Sequence, residues 1–138
     1  MSLFEIFGLY LVLNLILLLA LLIGVIRIRF SNRISTGDGG RQDLLNASRA
    51  HGNFIENAPF VLIGMISMMQ LGTGPLMLHV VGATFIVARV LHAYGITRED
   101  NSNRARQLGT VLTLLVYVIL VFTLIFLLLQ SRASYGIS

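Results

Sequence analysis

The chain has 138 residues, of which 56% are hydrophobic and 12% charged, with a mean hydropathy of +0.84. A folded body this small leaves much of its surface outward, and so few polar residues cannot cover it; an ordinary water-soluble domain and a disordered tail are both excluded, and lipid is the solvent that fits. The ten cations are all arginine against six anions, and most of them flank apolar runs, where they set membrane orientation rather than form a nucleic-acid-binding patch.

In chain order, the first apolar run extends from Ile6 to Ile26, 21 residues without a charge. At 1.5 Å per residue it is about 31 Å long, one hydrocarbon core. It has no basic start and no small-residue cleavage site, so it reads as a retained helix ending in Arg27-Ile28-Arg29 rather than a signal peptide. Ser31 to Gly40 has loop composition. A second helix is expected from about Arg41 or Asp43 to Met69, polar in its first half, apolar from Ala58, and kinked by Pro59. After the turn Leu71-Gly72-Thr73-Gly74-Pro75 comes a third span, Leu76 to Leu91, with Arg89 near its end. A polar stretch from Thr97 to Arg106 leads into a fourth span, Leu108 to Leu129, which is 22 residues without charge. The expected fold is all-α: one integral-membrane four-helix bundle over residues 1–138, with spans near 5–28, 42–69, 76–95 and 105–130.

Arg27, Arg29, Arg33, Arg41, Arg98, Arg104 and Arg106 belong to the first and third loops, against Arg132 alone on the other side. Positive charge collects on the cytoplasmic side, so those two loops are expected there and both termini opposite.

Arg49, Glu56 and Arg89 are the ionisable residues at or near membrane depth. Each costs at least about 2.5–3.5 kcal/mol facing lipid at a helix centre, so they must point into the bundle or a wet cavity. Arg49, Asn53 and Glu56 are spaced i, i+4, i+7 and share one helix face, either as a binding site or as an Arg–Glu pair closing the bundle. His51 is turned about 200° from both Arg49 and Asn53 and points elsewhere. No metal site is expected: the chain has no cysteine, and His79 and His92 stand isolated from His51 and from each other. Arg104 and Arg106, at the start of the fourth helix, are either topological charge or stabilisers of an anion such as a thiolate. Tyr94 reads from the pattern as an interfacial aromatic.

The segment Arg49-Ala50-His51-Gly52-Asn53-Phe54-Ile55-Glu56-Asn57-Ala58-Pro59-Phe60 resembles the second-helix signature of the membrane-associated proteins in eicosanoid and glutathione metabolism, the MAPEG family. Arg49, Asn53, Glu56 and Pro59 match that pattern at every step, and the likeness in length, spans and Ala88-Arg89 covers nearly the whole chain. The resemblance implies a homotrimer of four-helix subunits in the lipid bilayer, a bacterial-type member in the inner membrane, with glutathione as co-substrate at each subunit interface. Arg49, Asn53 and Glu56 resemble the residues that hold its carboxylates and amine, Arg27 and His51 those given by the adjacent subunit, and Arg89 a buried arginine near the ligand. Arg106 resembles the proposed thiolate stabiliser, with Arg104 as the competing choice. Where the eicosanoid synthases carry a glutathione-contacting tyrosine, this chain has Ile96, with Tyr94 two residues earlier as the candidate replacement; Asn57 stands where some members have an aromatic residue.

The resemblance therefore implies a transferase or peroxidase acting on an apolar electrophile, with no nucleic-acid partner. A non-catalytic glutathione- or lipid-binding relative and a scaffold subunit are the rival readings. A small four-span transporter is a weaker one, since such exporters keep their carboxylate in the first span, where only Glu5 stands, at its extreme end.

Overall fold

The computed structural model describes residues 1–97 and 104–135, with side chains as far as 133. Arg98, counted above among the loop charges, lies outside the described residues. Four helices follow one another: α1 (Leu3–Asn32), α2 (Gln42–Gln70), α3 (Pro75–Thr97) and α4 (Arg104–Tyr135). There is no strand among the described residues. α1, α3 and the Arg104–Ala133 part of α4 are long and apolar enough to cross a membrane. α2 is as long, but polar residues fill its first half.

The helix ends follow from local chemistry. Ser2 caps α1 by accepting from the Glu5 amide at 3.2 Å, while the Glu5 carboxylate accepts from the Ser2 amide at 2.6 Å. Glu5 is thus a capping residue at the helix mouth, and its charge never has to enter lipid. α1 outruns the expected stop at Arg29 by three residues and closes where Arg33 turns left-handed, φ 55°. At the far end of α2, Gly72 takes φ 85°, and Pro75, which has no amide hydrogen to lose, opens α3. α2 runs on through Pro59 as a single helix.

α2 and α3 form the hub. α1 packs on both of them, α4 packs on α3 and less extensively on α2, and among the described residues the α1 and α4 backbones do not approach each other. The α2 residues Phe54, Ala58, Val61, Met65 and Met68 are buried at helical spacing against Leu78, Val81 and Phe85 of α3, with Ile6, Tyr10, Val116 and Leu120 from the flanking helices, and Leu44 and Ala47 are buried nearer the start of α2. α1 and α4 instead turn Val12, Leu15, Ile16, Leu19, Leu115, Val118, Phe122 and Phe126 outward. In water that surface would drive aggregation, whereas against acyl chains it costs nothing, as expected of an integral membrane protein.

Candidate functional site

The polar half of α2 faces the ends of α3 and α4 that adjoin the 97–104 connection. Between them lies a cleft of about 630 Å³, lined by Ser48, Arg49, Gly52, Asn53, Glu56, His92, Ile96, Arg106 and Thr110. The i, i+4, i+7 face of α2 thus forms one wall, α3 and the first turns of α4 the other.

Arg49 and Glu56 are exposed in this cleft and do not pair with each other: the ion pair among the described residues is Arg41–Asp43, at 2.8 Å. The reading of the α2 face as an Arg–Glu lock closing the bundle is therefore corrected. At i, i+7 the two residues stand about two turns, near 10 Å, apart along the axis, too far for a direct pair but suited to the two ends of an extended ligand.

Asn53 is held from behind. Arg89, only 3% exposed, donates from Nη1 to Asn53 Oδ1 at 2.5 Å and from Nη2 to Thr113 Oγ1, with the Gly109 carbonyl at 3.5 Å. Thr113 Oγ1 in turn donates to the Gly109 carbonyl at 2.7 Å. The Arg89 guanidinium lies 5.7 Å from the Phe85 ring centroid, and its Nε is buried without a partner. With its oxygen engaged, Asn53 has both amide hydrogens of Nδ2 to offer a ligand. A smaller space of about 110 Å³ continues from the cleft floor past Asn57, Arg89, Thr113 and Tyr117. There the Tyr117 hydroxyl donates to Asn57 Oδ1 at 3.0 Å, and Asn57 Nδ2 donates to the Asn53 carbonyl at 2.7 Å.

Two glycines bring the second wall together. A Cβ on Gly109 would stand 2.6 Å from the Ala88 carbonyl and from the His92 amide, and one on Gly95 would stand 2.4 Å from the Arg106 amide. α3 and α4 therefore touch backbone to backbone at this end, as small residues permit in membrane bundles. That contact fixes Arg106 and Thr110 opposite α2.

The other sequence-derived candidates are placed differently. Arg104 begins α4 and is exposed, but it does not line the cleft, whereas Arg106 does. His51 is half-buried off the cleft face, as its helical angle requires. Arg27 is exposed on α1, which gives no residue to the cleft. Tyr94 is half-exposed and outside the lining, and Ile96 occupies that wall. Thr110, Thr113 and Tyr117 carried no sequence signal of their own, and Asn57 was marked only as a departure from the family pattern; His92 was set aside as isolated, although it stands one turn from Arg89 on the same helix.

Residues 7–126 match the family model described as the MAPEG family. Over 88 residues the chain is 36% identical to the inner membrane protein YecN of Escherichia coli K12, a stretch covering 64% of this chain and 67% of that protein. YecN of the O6:H1 strain of E. coli matches to the same extent. No solved structure matches the chain significantly.

Proposed function

The chain belongs to the MAPEG family, and from that membership we propose that it is a membrane-bound glutathione-dependent transferase or peroxidase, which activates the glutathione thiol and conjugates or reduces an apolar electrophile. The observation that carries this reading is the grouping of Arg49, Asn53, Glu56 and Arg106 around one cleft. Glutathione has two carboxylates, one ammonium and one thiol. Arg49 and the Nδ2 hydrogens of Asn53 suit the carboxylates, and Glu56 suits the ammonium.

Arg106 lies in the first turn of α4. Its guanidinium stays charged at any working pH, and the helix end adds about 0.3–1 kcal/mol in favour of a nearby anion. A cation about 4 Å from the sulfur contributes a few kcal/mol more at intermediate dielectric. A thiol pKa lowered by about two units from 8.5 makes thiolate the main species at neutral pH. In conjugation the sulfur lone pair forms a C–S bond, and the leaving group departs with the C–X electron pair. With a hydroperoxide the thiolate takes the terminal oxygen, the O–O bond breaks to release an alkoxide that gains a proton, and a second glutathione converts the sulfenic product to disulfide and water.

The further assignments in this reading are a homotrimer in which Arg27 and His51 reach the site of an adjacent copy, an inner-membrane location like that named for YecN, and cytoplasmic first and third loops. Calorimetric titration of glutathione into the detergent-purified protein, followed by the ultraviolet absorbance of the bound thiolate, tests the proposal. Binding with a depressed thiol pKa supports it. Absence of binding refutes it. Ile96, on the cleft wall in place of a tyrosine, favours one rival, a relative that binds glutathione without activating it; bound glutathione whose thiol titrates as in water would select that reading.

A further inference from the structure

A second pocket lies at the end of α1, where the first loop begins. It measures about 450 Å³ and is lined by Ile26, Arg29, Phe30, Arg33, Ile34 and Ser35. We propose that this pocket binds the phosphodiester headgroup of an anionic phospholipid, with Arg29 and Arg33 on the phosphate and Ile26 and Phe30 against the first part of an acyl chain.

The two arginines have no use inside the fold. They line the same pocket, where like charges repel. No acid lines the pocket. Of the nearby acids, Asp43 is held by Arg41 at 2.8 Å and Asp38 accepts from the Gly40 amide at 2.9 Å. Nor do the guanidiniums cap the helix. The last carbonyls are taken by the chain itself: Phe30 O by the Arg33 amide at 3.3 Å, Arg29 O by the Ile34 amide at 3.0 Å, and Ile28 O by Asn32 Nδ2 at 2.8 Å. Arg29 Nη1 is shielded from solvent and has no acceptor. The α1 end contributes about half a negative charge, which leaves roughly one and a half positive charges for an outside anion.

The pocket's shape is also specific. Arg33 adopts φ 55°, a conformation disfavoured for a residue with a Cβ, and thereby folds Ile34 back beside the helix end. The apolar wall and the position just past the uncharged Ile6–Ile26 run place the pocket at the depth of lipid phosphates. A free phosphate would gain nothing from Ile26 and Phe30.

The test is native mass spectrometry of the full chain, delipidated and then supplied with phosphatidylglycerol, phosphatidylcholine or inorganic phosphate. Wild type is expected to retain phosphatidylglycerol over phosphatidylcholine and to retain no phosphate. Arg29→Gln and Arg33→Gly should each weaken phosphatidylglycerol retention about fivefold, the equivalent of one surface cation near an anionic lipid. Arg33→Gly also relieves the left-handed strain, so its lipid-free thermal midpoint should not fall and a loss of lipid cannot be put down to unfolding. Arg132→Gln, at the other end of the molecule, should retain lipid as wild type does. Equal retention of the two lipids, retention of phosphate alone, unchanged retention in both pocket variants, or an equal loss in Arg132→Gln would each overturn the proposal.

Discussion

Replacing Gly109 by alanine tests the structural core of the cleft with a single methyl group. The new Cβ would lie 2.6 Å from both the Ala88 carbonyl oxygen and the His92 amide nitrogen, and 2.9 Å from His92 Cβ. Two of these atoms are backbone, so no rotamer change can make room and α4 must move away from α3. Overpacking of this kind costs about 1–3 kcal/mol, while alanine's better helix propensity returns about 1 kcal/mol at most. A net loss of up to about 2 kcal/mol is therefore expected. Gly24, inside α1 with nothing within 4 Å of its would-be Cβ, is the control. Gly24→Ala should be neutral or stabilise by up to about 1 kcal/mol. Reversible unfolding in mixed micelles with increasing dodecyl sulfate measures both variants. Because the displaced α4 carries Thr113, which helps hold Arg89 against Asn53, Gly109→Ala should also weaken glutathione binding, which calorimetry reads separately. Equal stability of Gly109→Ala and Gly24→Ala would refute the close α3–α4 approach.

Arg49→Ala and Glu56→Ala should each reduce glutathione affinity by about 1.5–3 kcal/mol, the usual range for a hydrogen bond to a charged group, as measured by calorimetry on folded protein. Arg106→Ala should leave that affinity nearly intact while removing the thiolate absorbance and most conjugation; retained thiolate would shift the role to Arg104. Thr113→Val keeps the side-chain shape but takes the acceptor from Arg89 Nη2, and should destabilise by about 1–3 kcal/mol in the same micellar unfolding assay. If the arginine-rich loops face the cytoplasm as proposed, a periplasmic reporter enzyme fused after Ser138 should be active; activity only of a cytoplasmic reporter at that end would reverse the proposed topology.

α1, α3 and α4 were legible because each rests on a long apolar run, and α2 because its polar first half is continued by the apolar stretch from Ala58, signals that lie close together in the chain. The α2 face was legible for the same reason: Arg49, Asn53 and Glu56 share a side by helical angle alone. Their partners come from α3 and α4, and which of those residues meet α2 depends on how the helices are rotated and how closely they approach. Gly95 and Gly109 set that approach, yet in sequence each is only a small residue near a helix end. The Arg49–Glu56 pairing failed on different grounds: the i, i+7 spacing that puts the two on one face also separates them by about two turns, near 10 Å, along the axis. Arg89 was noticed as a charge at depth, but its attachment to Asn53 and Thr113 spans 36 and 24 residues and leaves no local trace.

The separation of the α1 and α4 backbones among the described residues bears on how the chain is built. The most extensive helix pairings, α3 with α4, α1 with α2 and α2 with α3, all join neighbours in sequence, so each helix leaving the ribosome can dock on the one made just before it. No step waits for the two ends of the chain to find each other. Arg89 nevertheless leaves the ribosome ahead of Gly109 and Thr113, with Asn53 as the hydrogen-bond partner that precedes it in the chain. The arrival of α4 then does two things at once: it completes the shell around a charge that lipid disfavours, and it delivers Arg106 to the cleft. A chain without α4 would hold an incompletely paired arginine at membrane depth, so the helix that delivers Arg106 is also the one that makes Arg89 tolerable there.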